Sequence, residues 1–500
     1  MSLLGIDIGT TGSKAVVFNH GGEILASCYR EYPLYIPEKG QCELDPEEVW
    51  KAVQQVVLST ARKVRKKDPV QAIGISTLGD SVTPIDRNGN ALARTVIGAA
   101  DRRAVEQASW IEEHYGRKAA FDKTGTPLHA FCTLPKVMWF REHRPDIYEK
   151  AWKFTGWQEI FHVRLGLNAV MDYSLASHTM LMNIHTKKYI YDLLHTCSID
   201  VEKFFPLSNS SRIAGRIDYP YSAQLGVNDG TAVVAGGFDQ CCSALGAGVL
   251  EPDTAALSVG TLEAITALSN ECRLEPSLLK GNYGLSFHII DSFYIILGFV
   301  TTSGAILRWY RDTLGSQEVT TANARNLNPY DVMIESTSEK PSRVYVMPYF
   351  AGAGTPWLDA MQKGSVFGLS LDTDRNDIVK GILDCICYEV RLNLESLGEA
   401  GFNIRKLRAM GGGSKSERWM QLKADITGKP VEVTEVSEAG CLGAAFLAGQ
   451  GIGVYTSPQD ILEIAKVKKI FEPKQSVFKQ YEDSYHHYKE LRSRIKGLVL

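Results

Sequence analysis

The 500-residue sequence lacks a basic surplus, long apolar runs and an obvious export signal. Its net charge is -3, which argues against a nucleic-acid-binding protein, since such proteins carry excess positive charge. The most apolar stretch, Ser292–Leu307, contains Gly, Ser and Thr and is too short to span a bilayer comfortably. Asp7 interrupts the first apolar run, so we expect no signal peptide. These absences predict a protein that binds neither nucleic acid nor membrane.

The ten cysteines also lack the spacing of a zinc site or a redox pair. Cys241 and Cys242 are adjacent, and Cys385 and Cys387 are two positions apart. Most of the cysteines are flanked by apolar residues, which is typical of thiols in a reducing compartment. We therefore expect a cytoplasmic protein.

Two common nucleotide-binding motifs are missing as well. Gly9–Lys14 has the wrong spacing for GxxxxGK[ST], and the opening unit has no GxGxxG between a strand and a helix. The sequence thus favours neither a P-loop NTPase nor a Rossmann dehydrogenase. Its length and its 44% apolar and 22% charged residues fit two or three soluble α/β domains.

What is present is a compact unit at the start of the chain, Leu3–Ile24. An apolar strand (LLGIDI) leads into a turn of small residues (GTTGS), and KAVVF forms the next strand. Small residues let the backbone approach a ligand, and the N–H groups of such a turn can bind an anion. The alternative is an ordinary hairpin with a polar turn. The residues predicted to bind phosphate are Thr10, Thr11, Ser13 and Lys14, and Asp7 is predicted to hold a metal ion or its water.

A similar unit recurs about half a chain later. Ala255–Leu268 again consists of a strand, a Gly-Thr turn and a strand, so that Gly260-Thr261 repeats Gly9-Thr10. Two such turns at this spacing indicate two copies of one fold, each offering a phosphate-binding hairpin to a cleft between them. We expect a first domain at 1–246 and a second at 247–500. Because strands alternate with helices throughout, the predicted class is α/β.

Helix signals are strong at three further places. Asp45 precedes Pro46 and two acids, which predicts an N-cap and a helix whose valines repeat at helical spacing. Asp377 is predicted to cap a long helix that runs through Ser396. The tail from Gln475 onward is predicted to be a charged terminal helix.

Asp239 is the most informative single acid. It follows a strand and two glycines in TAVVAGGFDQ, so its carboxylate is expected to face the interdomain cleft. Phosphoryl transfer to an alcohol needs a carboxylate that orients the hydroxyl and accepts its proton. The alternative is a plain N-cap role for the helix Gln240–Ala247.

Several sequence blocks follow one another in a characteristic order. They are DIGTTGSK (Asp7–Lys14), FCTLPKVMW (Phe131–Trp139), GGFDQ around Asp239, SVGT (Ser258–Thr261), SGAILRWYRD (Ser303–Asp312), GSVFGL with DIVKGIL (within Gly364–Leu383) and GGGSKSERW (Gly411–Trp419). Together they resemble the FGGY family of carbohydrate kinases over nearly the whole chain. The resemblance implies two actin-like, ribonuclease-H-like ATPase domains around an interdomain cleft, and Mg²⁺-dependent phosphorylation of a sugar or polyol. It implies that Asp239 is the catalytic base and that Gly260, Thr261, Gly304, Gly412 and Ser416 contact the nucleotide.

The same resemblance leaves the substrate open. Glycerol kinases have Arg-Glu where this chain has Gly79-Asp80, and Tyr where it has Phe131, which disfavours glycerol although Gln240 matches. Xylulose kinases typically have Met-His at 79–80 and Asn at 240. Asp80 can accept hydrogen bonds from two adjacent hydroxyls, which suits an uncharged substrate and disfavours a sugar acid such as gluconate. The alternative for Asp80 is a turn residue.

Another part of the expected sugar-binding wall is closer to the xylulose kinases. Asp101 and Arg103 match the acid and the base of their W-N-D-x-R element, whose Trp-Asn is replaced here by Ala99-Ala100, and this replacement is expected to open room. Trp157 is predicted either to stack on the sugar or to belong to the core. The predicted substrate-binding residues are Asp80, Asp101, Arg103, Phe131 and Gln240.

The sequence therefore predicts a kinase that uses ATP, with Mg²⁺ near Asp7 and Asp239, to phosphorylate a xylulose-like ketopentose. A kinase of another polyol or ketose, such as an erythritol-like compound, is the nearest alternative. An actin-like ATPase scaffold and an inactive sugar sensor are the others. The expected partner is a small molecule, and a homodimer is one assembly that the sequence allows.

Overall fold

A computed structural model describes residues 1–98 and 101–496 as two halves, each built on a mixed sheet of seven strands. The first half contains fifteen strands and ten helices within the described residues. Its strands are β1 (Ser2–Ile8), β2 (Gly12–Asn19), β3 (Ile24–Glu31), β4 (Glu43–Leu44), β5 (Val70–Thr77), β6 (Thr83–Ile85), β7 (Thr95–Val96), β8 (Lys153–Thr155), β9 (Met171–Asp172), β10 (Met182–Asn183), β11 (Lys188–Tyr189), β12 (Leu207–Ser208), β13 (Ile213–Ile217), β14 (Thr231–Val234) and β15 (Gly237–Phe238). Its helices are α1 (Pro46–Val64), α2 (Val105–His114), α3 (Arg117–Thr124), α4 (Thr133–His143), α5 (Pro145–Lys150), α6 (Trp157–Arg164), α7 (Tyr173–Ser177), α8 (Tyr191–Thr196), α9 (Tyr221–Leu225) and α10 (Asp239–Gly246).

The second half continues with the remaining strands and helices. Its strands are β16 (Thr254–Val259), β17 (Glu263–Ser269), β18 (Gly284–Phe287), β19 (Tyr294–Val300), β20 (Tyr345–Met347), β21 (Ser365–Phe367), β22 (Lys406–Met410), β23 (Val431–Thr434) and β24 (Val467–Phe471). Its helices are α11 (Pro276–Lys280), α12 (Gly304–Thr313), α13 (Ser316–Arg325), α14 (Pro329–Glu335), α15 (Arg375–Glu399), α16 (Glu417–Thr427), α17 (Ala439–Gly451) and α18 (Gln475–Arg494). Short 3₁₀ turns lie at Val201–Lys203, Gly412–Lys415 and Pro458–Glu463.

The two main sheets share a common core of five strands, in which the order β14-β5-β1-β2-β3 of the first sheet corresponds to β23-β22-β16-β17-β19 of the second. In the first sheet the order is β13-β14-β5-β1-β2-β3, with β15 also pairing with β5. In the second sheet the order is β18-β19-β17-β16-β22-β23-β24. Each has an antiparallel meander whose first strand pairs in parallel with a later strand, β1 with β5 and β16 with β22. The duplicated α/β fold predicted from the two Gly-Thr turns is therefore confirmed.

Two helices connect the halves by packing across them. Helix α17, from the second half, packs on β1 and β5 of the first sheet, while α10 packs on β16 and β17 of the second. The contact is close because two strand positions have no side chain. A Cβ atom at Gly5 would lie 1.8 Å from the Cys441 carbonyl oxygen, and one at Gly74 would lie 1.8 Å from that of Ala444. The small residues of α17 thus serve helix–sheet packing.

The local helix signals correspond well to the structure. Asp45 caps α1 by accepting hydrogen bonds from the amides of Glu47 and Glu48. The prediction that Asp377 caps the long helix is wrong by three residues. Asp374 is the N-cap of α15 and accepts a hydrogen bond from the Asp377 amide, while the Asp377 carboxylate accepts one from the Asp374 amide, which makes a capping box.

All ten cysteines are free thiols, and most of them are buried. Across residues 1–98 and 101–496, no helix is both long enough and apolar enough to cross a membrane.

Candidate active site

Three acids meet where neighbouring parallel strands end. Ser76 of β5 lies opposite Asp7 of β1 on one side and opposite Gly237 of β15 on the other. The chain leaves β5 toward Asp80 and leaves β15 directly into Asp239. Because parallel strands end at the same edge of a sheet, the topology brings these three carboxyl groups to one place, as is usual for α/β sites.

Asp239 is the first residue of α10, and the N-cap position belongs to Phe238. Its side chain is half-buried and accepts a hydrogen bond of 3.2 Å from Nε2 of Gln240. Burial, reinforced by the negative charge of Asp7, raises the pKa of Asp239 to about 7. A carboxyl group with this pKa can accept a proton near neutral pH, so the site contains a candidate general base.

Asp7 lies beside this base. Ser76 Oγ donates a 2.8 Å hydrogen bond to Asp7 Oδ1, yet burial still raises the pKa of Asp7. The described residues contain no cluster of three or more His, Cys, Asp or Glu side chains suited to a metal ion. Mg²⁺ in kinases, however, is held by one or two carboxylates together with phosphates and water. The pair of Asp7 and Asp239, whose charges repel each other, fits such an ion.

The first Gly-Thr turn is stabilised by hydrogen bonds to its backbone. The Gly9 amide donates to the Gly12 carbonyl at 3.1 Å, and the Tyr32 hydroxyl donates to the Gly9 carbonyl at 2.5 Å. Thr10 is half-buried and Thr11 is exposed. These two threonines are therefore accessible, and their contact with phosphate stays a prediction.

Ser13 and Lys14 are differently placed. The Ser13 hydroxyl is fully buried and lies 3.3 Å from the Tyr32 hydroxyl, so it supports the turn and the prediction that it contacts phosphate is not supported. Lys14 Nζ donates to Glu438 Oε2 at 2.7 Å, in a half-exposed ion pair that links the two halves of the chain. A phosphate would have to compete with Glu438 for this ammonium group.

The second Gly-Thr turn accepts hydrogen bonds from the N-terminal end of a helix. The Gly304 amide donates to the Gly260 carbonyl at 2.9 Å, and the Ser303 and Ala305 amides donate to the Thr261 carbonyl at 2.9 and 3.1 Å. Helix α12 thus begins directly on the turn. The predicted nucleotide residues Gly260, Thr261 and Gly304 form one continuous structure.

The third predicted nucleotide element ends at the same edge. Strand β22 runs parallel to β16, with Met410 opposite Ser258, so the glycines after β22 emerge beside the second turn. A Cβ atom at Gly412 would have no neighbour within 4 Å, which leaves open space there for a ligand. The Ser416 hydroxyl caps α16 by accepting a 3.3 Å hydrogen bond from the Trp419 amide.

A buried ion pair that the sequence did not reveal ties these elements together. Lys423 Nζ on α16 lies 2.5 Å from Glu263 Oε1 on β17, and both side chains are fully buried. Ser303 Oγ, just before α12, donates to Glu263 Oε2 at 3.2 Å. One carboxylate therefore connects the strand after the second turn with the helices at Gly304 and Ser416.

Asp80 lies in a strained and largely buried position. Its φ is 57°, and the fully buried Lys136 donates to its backbone carbonyl. His178 Nδ1 lies 3.9 Å from Asp80 Oδ2, and the His178 ring packs against the Phe238 ring in a tilted arrangement, with centroids 4.2 Å apart. Burial raises the pKa of Asp80 to about 7, and the charge of Lys136 opposes the shift. Lys136 falls inside the FCTLPKVMW block, but nothing in the sequence pointed to His178.

Two other predicted substrate residues, Phe131 and Gln240, have partly exposed side chains. Phe131 is half-buried and stacks on His129, with ring centroids 4.1 Å apart. Gln240 is half-buried and contacts the candidate base Asp239 through the hydrogen bond described above.

Asp101 and Arg103 are not accessible. The Asp101 side chain is fully buried and accepts hydrogen bonds from the Cys42 amide and from the Arg103 guanidinium group. Arg103 also donates to Glu43 at 2.8 Å and lies over the Trp139 ring. The prediction that they contact the substrate is not supported, because their polar atoms are used in an internal network. The predicted opening at 99–100 lies outside the described residues.

Trp157 is also internal. It is 1% exposed and packs in the apolar core under the first sheet. Of its two predicted roles, the core role is therefore the one that the structure supports.

The chain is similar to known proteins over most of its length. The family model "FGGY family of carbohydrate kinases, N-terminal domain" matches residues 2–246, and the corresponding C-terminal domain model matches residues 255–451. A gluconokinase of Bacillus subtilis is 30% identical over 452 residues, which are 89% of this chain and 86% of that protein. A xylulose kinase of Staphylococcus epidermidis is 27% identical over 499 residues, which are 99% and 97% of the two chains. The ligand-bound crystal structure of a xylulose kinase from Lactobacillus acidophilus superposes with a TM-score of 0.88 at 24% identity, covering 100% of this chain and 99% of that one.

Proposed function

Because the chain belongs to the FGGY family of carbohydrate kinases, we propose that it transfers the γ-phosphoryl group of ATP to a hydroxyl of an uncharged, xylulose-like ketopentose. Its membership makes it a phosphotransferase that acts on a sugar hydroxyl. One observation carries the proposed mechanism: the half-buried Asp239 carboxyl has a pKa near 7 at the end of a strand beside Asp7.

In the proposed reaction, the hydroxyl oxygen of the substrate attacks the γ-phosphorus, and Asp239 accepts the proton of that hydroxyl. The bond to the β,γ-bridging oxygen breaks, and ADP leaves. Gln240 keeps the Asp239 carboxylate oriented through its 3.2 Å hydrogen bond. Thr10, Thr11, Gly260 and Thr261 bind the phosphates, with Lys14 exchanging Glu438 for a phosphate oxygen.

Asp7 and Asp239 would hold Mg²⁺, since the chemistry of two repelling carboxylates suits a divalent cation. The ion, when bound, neutralises charge on the phosphates. The residues Gly304, Gly412 and Ser416 would contact the nucleotide.

The proposed domains are 1–246 for the sugar and the base, and 247–500 for the nucleotide. Arg102 Nη1 donates to the Ala360 carbonyl at 2.8 Å, which is one contact between the two sides of the proposed cleft. Closure of such a cleft excludes water and suppresses ATP hydrolysis. The use of ATP is consistent with a cytoplasmic location.

The choice of an uncharged ketopentose follows from Asp80. As a carboxylate it accepts hydrogen bonds from neighbouring hydroxyls and repels the carboxylate of a sugar acid. A sugar acid such as gluconate is the second candidate, and a specific observation favours it. The pKa of Asp80 is raised to about 7, which weakens this repulsion near neutral pH, and a relative that is 30% identical is a gluconokinase.

The role of Asp239 is tested with Asp239→Asn, which keeps the side-chain shape and removes the base. We expect the rate of sugar phosphorylation to fall by about 10²- to 10⁴-fold, while ATP still raises the melting temperature as in the wild type. Asp291→Asn, the same change at an exposed position, is the matched control and should leave the rate unchanged. A rate for Asp239→Asn within tenfold of the wild type would refute the assignment.

The substrate class is tested by ADP release over a panel of ketopentoses, tetritols, glycerol and gluconate. The highest kcat/KM is expected for a ketopentose. Asp80→Asn should weaken the selection against gluconate, because it removes the repelling charge. A wild-type preference for gluconate would overturn the ketopentose proposal and establish the second candidate.

A further inference from the structure

A large chamber lies between the two halves, away from the predicted phosphate turns. It has a volume of about 1110 Å³. The first half contributes residues around α2, α3 and His129, and the second half contributes α11, the segment 356–359 and residues of α15 and α18. Among the described residues, none of those predicted to bind phosphate or to act as the base lines this chamber.

The chamber wall is strongly basic in an otherwise acidic protein. Among residues 1–98 and 101–496, only two acids, Glu112 and Asp359, line the same space as its basic residues. The wall therefore carries a formal charge of +3, whereas the whole chain carries -3. The five basic residues of the wall are Arg117, Lys280, Lys489, Arg492 and Lys496.

Much of this charge is not neutralised by a close ion pair. Arg117 donates its hydrogen bond to the neutral amide oxygen of Asn282 at 2.8 Å. Lys489 lies 3.6 Å from Glu395, with both side chains about two-fifths exposed, so solvent screens that pair. Arg492 differs, because it pairs with the buried Glu389 at 3.2 Å. The positive charge of the wall that no buried acid compensates therefore comes from four residues, Arg117, Lys280, Lys489 and Lys496.

The floor of the chamber is apolar. Leu128, Leu279, Trp357 and Leu392 lie among the basic residues. An inorganic ion would leave this surface bare, while an organic anion would cover it with its carbon skeleton. The volume exceeds that of most sites for small organic molecules.

From this combination we propose that the chamber binds a small organic phosphate, such as a sugar phosphate, at a site separate from the catalytic one. The phosphate contacts Arg117 and Lys280, which come from opposite halves of the chain. The carbon skeleton packs on Trp357 and Leu279. Binding at this point adds contacts between the two halves and stabilises the arrangement in which they are close.

The chamber is also coupled to the predicted sugar site. His129 lines the chamber and stacks on Phe131, one of the predicted substrate residues, at 4.1 Å. A ligand that fixes His129 thereby fixes one wall of the sugar site. Occupancy of the chamber therefore changes the KM for the sugar more than the KM for ATP.

The test is isothermal titration of the full chain with two probes, ribose 5-phosphate and inorganic phosphate, with and without saturating Mg-ATP. Ribose 5-phosphate should bind in both conditions and more tightly than inorganic phosphate, and its affinity should fall as salt is added. Arg117→Gln together with Lys280→Gln should weaken binding by about twenty-fivefold, at about fivefold for each exposed charge. Lys188→Gln, on an exposed strand of the first half, is the matched control and should bind as the wild type does.

Three results would overturn the proposal. They are no binding of ribose 5-phosphate at millimolar concentration, displacement of the probe by Mg-ATP, and unchanged affinity in the double variant. Equal affinity for inorganic phosphate would also refute the organic ligand, because the apolar floor would then contribute nothing. Because the experiment measures binding and not turnover, this proposal can fail while the proposed kinase activity is confirmed. The kinase activity can likewise fail while binding in the chamber is confirmed.

Discussion

Breaking the buried ion pair between Lys423 and Glu263 should strongly destabilise the second half of the molecule. Both side chains are fully buried, and their charged atoms are 2.5 Å apart. Lys423→Met removes the cation but keeps the length of the side chain. The Glu263 carboxylate then remains in the core with only the Ser303 hydroxyl as a hydrogen-bond donor.

The size of the effect follows from desolvation. Removing one partner of a buried pair costs about 3–5 kcal/mol, because the remaining charge is uncompensated. Replacing both partners with apolar residues of similar volume is close to neutral. Lys423→Met combined with Glu263→Leu should therefore be more stable than Lys423→Met alone. The two changes are coupled, and their effects should not add.

Differential scanning calorimetry measures the melting temperature of both variants. For a half of this size, the single variant should lower the melting temperature by roughly 6 to 20 °C, and the double variant should recover most of that loss. Because the pair joins β17, α12 and α16, the single variant should also bind ATP more weakly. A loss below about 1 kcal/mol for Lys423→Met, or a double variant as unstable as the sum of the two single variants, would show that the pair is not a buried charge pair of this kind.

Three further predictions concern other parts of the molecule. With the pKa of Asp239 at about 7, the base is deprotonated above that pH, so kcat/KM should fall about tenfold per unit below pH 7, and a flat profile in the ADP-release assay would contradict its role. Gly74→Ala should lower the unfolding free energy by about 1–3 kcal/mol through overpacking against α17. Gly398 lies in α15, and a Cβ atom there would have no neighbour within 4 Å, so Gly398→Ala should raise the unfolding free energy by about 0.5–1 kcal/mol. Equal effects of the two changes in thermal melts would refute the packing argument. Tyr32→Phe leaves the Gly9 carbonyl without its donor and should cost about 1–3 kcal/mol and raise the KM for ATP, whereas an unchanged KM would show that the turn needs no such support.

The sequence predicted those parts of the fold whose signals are local. Asp45 and Pro46 identified the start of α1, and α18 begins at Gln475 as expected. The two Gly-Thr turns predicted the duplicated fold because each follows the first strand of a meander. The start of the long helix was predicted three residues too late, at Asp377. Both acids of its capping box are reasonable N-caps, and only the backbone geometry distinguishes them.

The parts of the site that the sequence missed depend on partners that are distant in the chain. Lys423 and Glu263 are separated by about 160 residues, and no spacing rule connects them. Asp101 and Arg103 were predicted to bind the substrate because they match an element of the xylulose kinases, whereas their partner Glu43 lies about 60 residues earlier, on β4. His178 reaches Asp80 only through the packing of α7 beside Phe238. Motif blocks therefore identify the residues of a site, while long-range packing decides which of them are accessible.

The exchange of α10 and α17 between the halves has a consequence during protein synthesis. The first sheet cannot acquire its covering helix until residues 439–451 have been made, about 190 residues after α10 ends. At typical translation rates this takes roughly 10 to 40 s. Throughout that interval the apolar face of β1 and β5 remains uncovered on the nascent chain. The first half is therefore expected to depend on chaperones on the ribosome and to aggregate when it is expressed without the second half.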